Sequence, residues 1–123
     1  MKKNMFNVIT KAFVFDFDDT LALTDATVKV GGVALTPSEF NTYTLKAGES
    51  FDFSEFTKPS LILDGTPLSL IDLARAVSDE GHSVFILTAR ANCVASAIAE
   101  FLAGQGVAVN AVHCVGSATG GDI

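Results

Sequence analysis

Apolar and polar positions along this chain alternate between a two-residue and a helical period, and the changes of period lay out its elements. Lys11 to Phe15 is apolar at both parities, with Phe13 and Phe15 on one face and Ala12 and Val14 on the other. Two apolar faces predict a strand covered on both sides, as in a parallel sheet. Val28-Lys29-Val30 and Val33-Ala34-Leu35 flank Gly31-Gly32, which reads as two short strands joined by a tight hairpin. Thr36-Pro37-Ser38-Glu39 then supplies an N-cap, a proline at the first helical position and a glutamate at the third, so a short helix starts there. Residues 48–58 alternate aromatic and polar side chains (Phe51, Phe53, Phe56) and read as a strand or an irregular loop. Leu61 to Leu63 reads as a further short strand.

Thr66-Pro67 opens a predicted helix whose apolar positions Leu70, Leu73, Ala74 and Val77 recur at helical spacing, with Gly81 where a C-terminal cap belongs. Ser83 to Leu87 is the second core strand. A long helix is expected from about Asn92 to Ala103, with Val94, Ile98, Phe101 and Leu102 on its apolar side and Gly104 and Gly106 ending it. A third core strand falls within 107–115, followed by a small-residue tail over 116–123. Strand, helix, strand, helix, strand predicts right-handed crossovers and an α/β fold built on a parallel sheet. In such sheets a site lies beyond the carboxyl ends of the strands.

Composition narrows the class. The chain has 123 residues, enough for one modest domain. Hydrophobic residues make up 49% and charged residues 18%, which predicts a packed core and excludes disorder. A net charge of −6 argues against strong binding to a nucleic-acid backbone, but leaves room for a small phosphorylated ligand. No segment reaches the length of a membrane span. Lys2 and Lys3 precede a stretch broken by Asn4, Asn7, Thr10 and Lys11, not a signal-peptide core, so a cytoplasmic location is expected. Cys93 and Cys114 lack metal-ligand spacing and read as buried, reduced thiols. His82 and His113 are isolated and read as structural.

The candidate chemistry lies in Phe13 to Leu21, F-V-F-D-F-D-D-T-L. Asp16 and Asp18 are spaced i and i+2, so both side chains leave an extended backbone on the same side. Two carboxylates aimed at one point repel, unless a bound cation or a shared proton offsets the charge. The stretch resembles motif I of the haloacid dehalogenase-like (HAD) phosphohydrolases, an apolar strand followed by D-x-D-x-T-L. The resemblance implies a Rossmann-like core, Asp16 as nucleophile and Asp18 as general acid/base, with Asp19 and Thr20 shaping the turn. It also implies Mg²⁺ held by Asp16, the backbone carbonyl of Asp18 and waters. Val84 to Arg90, V-F-I-L-T-A-R, resembles motif II of the same family. There the Thr88 hydroxyl and nearby backbone N–H groups, that of Ala89 among them, would bind a phosphoryl oxygen; the other reading of Thr88 is a helix cap. Arg90 has two readings as well, a phosphate contact or a solvent-facing side chain.

The family pattern also includes a later Lys or Arg (motif III) and late acids after a further strand (motif IV). After Arg90 the chain has no Lys or Arg, and Asp122, the only Asp after Asp79, follows no apolar strand. The resemblance is thus to a HAD domain without its C-terminal part. It implies a magnesium-dependent phosphomonoesterase acting through an aspartyl-phosphate on a small phosphorylated substrate, with weak or lost activity. The alternative is a non-catalytic HAD-like fragment or binding module. One domain is expected over 1–123, with a core over 1–20 and 66–123. The insertion over 21–65, a hairpin and a short helix, sits where the family places a cap, and it is too small for a large helical one. Tyr43, Phe51, Phe53 and Phe56 read as the insertion's hydrophobic cluster, or as pocket lining. The family's later helices are missing, so a sheet face including Val14 and a free edge along Lys11 to Phe15 should be exposed. Self-association is expected, most simply as a two-fold dimer.

Overall fold

The computed structural model describes residues 11–116; the expectations for Lys2, Lys3, Asp122 and most of the tail lie outside the described residues. In chain order the elements are β1 (Ala12–Phe15), β2 (Ala22–Leu23), β3 (Val28–Val30), β4 (Val33–Leu35), α1 (Pro37–Thr42) and β5 (Phe51–Asp52). A 3-10 turn (Ser54–Thr57), α2 (Pro59–Leu63), β6 (Thr66–Pro67) and α3 (Ile71–Asp79) follow. The chain then forms β7 (Ser83–Ala91), a second 3-10 turn (Asn92–Val94), α4 (Ala95–Gly104) and β8 (Ala111–Gly116).

β1, β7 and β8 form a parallel sheet in that order, with Phe15 beside Ile86 and Ile86 beside Val112. This is a mixed α/β fold with a small parallel sheet, compatible with a Rossmann-like arrangement. The strand order runs in one direction, so crossovers of one hand put α3 and α4 on the same face. Phe13, Phe15, Val84 and Ile86 meet Ile71, Ala74 and Val77 of α3 and Ile98, Phe101 and Leu102 of α4 in one hydrophobic core. The expected cover on both faces is therefore corrected: among the described residues only one face is packed. On the other face Val14, Leu87 and Val115 are 64%, 48% and 63% exposed.

Turn chemistry explains the insertion. Gly31 and Gly32 both have positive φ (57° and 81°), which the two-residue hairpin between β3 and β4 requires and side chains resist. Thr36 caps α1: its hydroxyl accepts the Glu39 N–H at 3.1 Å, and the Glu39 carboxylate accepts the Thr36 N–H at 2.8 Å. β5 adds to β3, and Phe40, Tyr43, Phe51 and Phe53 pack edge to face or tilted over that sheet.

Two segments form different elements from those expected. Thr66-Pro67 pairs antiparallel with Ala22-Leu23 as a two-residue ladder, and the helix begins four residues later, at Ile71. A proline suits a short edge ladder as well as a first helical turn, so the local signal is shared. Leu61–Leu63 is not a strand but the end of α2. Pro59 begins that helix with φ preset, and Ile62 is fully buried as α2 packs on α4.

Ile86 sits in the centre of the sheet with no exposed surface. Ile86→Ala should cost about 2–5 kcal/mol in urea denaturation, whereas Val14→Lys on the open face should change the stability of the monomer by less than about 0.5 kcal/mol. Light scattering should give the parent chain a mass above its 12.9 kDa monomer and return Val14→Lys to the monomer; a parent that stays monomeric removes the self-association reading.

Candidate functional site

The site is built by the turn that leaves β1. The Phe17 ring is fully buried and meets Phe101 edge-on at 5.8 Å, so the core fixes the residue between the two acids. The Phe17 carbonyl accepts the N–H groups of Thr20, Leu21 and Ala22 at 3.2, 2.9 and 3.2 Å. Asp19 closes the turn in the left-handed region, φ 62°, which Asp tolerates better than most side chains, and donates its N–H to the Ala22 carbonyl. Asp19 and Thr20 thus shape the turn, as expected.

The two acids, alike in the sequence, have different surroundings. Asp16 is exposed, and one of its oxygens accepts the Phe17 N–H at 2.8 Å. Its other oxygen has no hydrogen bond among the described residues. Asp18 is half-buried, and both of its oxygens are held by the Arg90 guanidinium, Nε to Oδ2 at 2.9 Å and an Nη to Oδ1 at 2.7 Å. Arg90 is 1% exposed. It also donates to the Thr24 hydroxyl at 3.1 Å and the Phe56 carbonyl at 3.0 Å, and its guanidinium carbon lies 4.9 Å from the centre of the Phe56 ring. The solvent-facing reading of Arg90 is corrected, and the cation that offsets Asp18 is a side chain of this protein.

Backbone irregularity puts Arg90 there. The ladder between β7 and β8 pairs Thr88 with Cys114 and then shifts, so that Ala91 pairs with Gly116. The extra residue re-aims the strand, as bulges do. A Cβ on Gly116 would overlap the Ala89 carbonyl, so only glycine lets β8 pass this close to the bulge. β7 therefore runs three residues past Thr88, to Ala91, and the helix-cap reading of Thr88 is corrected. Its hydroxyl, 2% exposed, accepts the Arg90 N–H at 3.1 Å inside the bulge. Ala89 is exposed beside it.

The Asp18–Arg90 pair was not foreseen from the sequence. Its available signal was an arginine continuing an otherwise apolar strand, opposite an acid pair in need of a cation. Expectations for the thiols also change: Cys93 is exposed and Cys114 is half-buried, with burial pushing the Cys114 thiol pKa up.

For Mg²⁺ the oxygen donors are of the right kind, but the carboxylate of Asp18 is committed to Arg90. Among the described residues, no group of three or more His, Cys, Asp or Glu is arranged to hold a metal ion. The free Asp16 oxygen and the Asp18 backbone carbonyl are oxygen donors of the kind Mg²⁺ takes, and an ion held by so few protein groups would rest mainly on waters and the substrate phosphoryl group. Beside the turn lies a cavity of about 510 Å³, lined by Asp18, Asp19, Thr24, Asp25, Phe40, Phe53 and Phe56 among others. Neither Asp16 nor Thr88 lines it.

A second ionic anchor fixes the insertion. The Glu55 carboxylate accepts from Lys29 Nζ at 2.9 Å and from the N–H and hydroxyl of Thr27 at 2.8 and 3.0 Å. The Lys29 hydrogen bond first, and then the two from Thr27, lower its pKa from 4.5 to about 2. Glu55 adjoins Phe56, so this anchor steadies the residue that accepts from Arg90.

Compared with protein-family models, with curated proteins and with solved structures, the chain matches none.

Arg90→Met should cost about 2–4 kcal/mol, somewhat below a fully buried pair because the Asp18 side chain is 30% exposed. In a double-mutant cycle with Asp18→Asn the two losses should be strongly non-additive; additive losses in urea denaturation would show that the pair is not coupled. For Glu55 the folded-state pKa is depressed, so its stabilisation is present in full above pH 4.5 and is lost as pH falls through about 2. Glu55→Gln should flatten the dependence of unfolding free energy on pH across that window, measured by equilibrium unfolding at each pH.

Proposed function

We propose that this chain is a HAD-type domain that hydrolyses phosphomonoesters slowly, with Asp16 as nucleophile. The observation that carries the reading is the Asp16 carboxylate, exposed at the carboxyl end of a parallel strand with one oxygen free of hydrogen bonds among the described residues. That oxygen attacks phosphorus, the bond from phosphorus to the ester oxygen breaks, and an aspartyl-phosphate forms as the alcohol departs. Water then attacks the same phosphorus, releasing phosphate and restoring the carboxylate. Asp18, receiving N–H groups on both oxygens, serves here as a fixed acceptor. An alkyl leaving group takes its proton from water unless Asp18 gives up Arg90. Turnover below roughly 1 per second is expected.

The closure of Asp18 onto Arg90 also favours a second reading, a HAD-like domain that keeps the fold and binds without turning over. Hydrolysis of p-nitrophenyl phosphate separates the two. The parent chain, Asp16→Asn and Asp18→Asn are compared with added Mg²⁺ and with a chelator. Asp16→Asn should abolish hydrolysis, while Asp18→Asn should retain a measurable part, since nitrophenolate needs no protonation. Equal losses would overturn the nucleophile assignment, and absence of any Asp16-dependent hydrolysis would leave the binding reading.

A further inference from the structure

Apart from Asp18, the cavity beside the turn is lined by side chains that the proposed hydrolysis does not use. Phe40, Phe53 and Phe56 line it, together with the acids Asp18, Asp19 and Asp25. The Asp18 charge is matched by Arg90, which lies behind the lining and not in it. Asp19 and Asp25 form no ion pair among the described residues, and no Lys, Arg or His lines the cavity. The lining therefore has two uncompensated negative charges at an aromatic wall. A phosphate, or any other anion, is repelled there. A cation gains from the two carboxylates and from the negative faces of the rings. A volume near 510 Å³ falls within the roughly 300–1,000 Å³ of small-molecule sites.

We propose that this cavity binds a small organic cation with a planar apolar body, an aromatic amidine or amine, with the charged end at Asp19 and Asp25 and the ring against Phe53 and Phe56. The assignment stands apart from the hydrolysis reading, because Asp16 and Thr88 do not line the cavity.

Benzamidine and benzoate, of nearly the same shape and opposite charge, test the assignment. Each is titrated into the ¹⁵N-labelled chain, and amide shifts are followed by NMR. Benzamidine should bind saturably, perturbing residues 18–28, 40, 53 and 56, and about tenfold more tightly than benzoate, the scale of attraction against repulsion at two exposed carboxylates. Raising the salt should weaken it. Asp25 is exposed, so Asp25→Asn leaves the fold intact and should weaken benzamidine about threefold while tightening benzoate. Benzoate binding as tightly as benzamidine, shifts confined to other surfaces, no saturable benzamidine binding, or an unchanged affinity in Asp25→Asn would each overturn the proposal. None of these outcomes depends on phosphatase activity, so the result is separable from that of the hydrolysis assay.

Discussion

A guanidinium buried to 1% exposure is the constraint around which this structure is arranged. Removing such a charge from water costs several kcal/mol unless its donors find acceptors and its charge finds a partner. The Arg90 guanidinium meets both needs with groups from two separate stretches, Asp18 and Thr24 after β1 and the Phe56 carbonyl in the insertion, while its backbone N–H donates to the Thr88 hydroxyl. Each of those residues must then be where it is. The β1 turn is drawn toward β7, and the 3-10 turn of the insertion is drawn down onto the sheet end. The bulge in β7 and the glycine at 116 are the backbone cost of aiming the side chain inward.

The insertion is bound to the core by the same contact and has its own support. Glu55, one residue before Phe56, joins Lys29 on β3 and Thr27 ahead of it. The two polar anchors are consecutive in the chain and face opposite ways, one into the three-stranded antiparallel sheet and one toward the parallel sheet. The cavity lies in the gap they span, with Phe56 on its wall. Phe56 is therefore held by the hydrogen bond of its carbonyl to Arg90 and by the ion pair of its neighbour Glu55, while two acids of the lining have no ion pair among the described residues.

Features with a local cause were legible in the sequence. The Gly31-Gly32 hairpin and the Thr36–Glu39 capping box follow from residues a few positions apart, and the parallel sheet follows from the alternation of strands and helices; the stripe of α3 was half legible, since Ala74 and Val77 are buried but Leu70 and Leu73 are exposed and Ile71 takes their place. Pro59 and Pro67 were less legible, because a preset φ suits a helix start and an edge ladder alike, and only packing decides between them. Where β7 ends was not legible at all: Thr88-Ala89-Arg90 resembles the start of a helical turn until β8 is laid beside it. The Asp18–Arg90 pair joins residues 72 positions apart, and nothing local announces such a contact. The need for a cation at the acid pair was readable; its source was not.

That source gives the two acids unequal capacities. Spacing alone makes Asp16 and Asp18 equivalent, two carboxylates on one side of an extended strand. Arg90 removes the equivalence by saturating both oxygens of one and neither of the other. A carboxylate with a free oxygen and an exposed approach is suited to attack; a carboxylate bound bidentately is suited to hold position, and must lose charge-assisted hydrogen bonds before it can move a proton. The same guanidinium that stabilises the turn thus restrains the residue best placed for acid/base work. Stability and acid/base chemistry at this site draw on the same two oxygens of Asp18, and in this conformation the fold holds them.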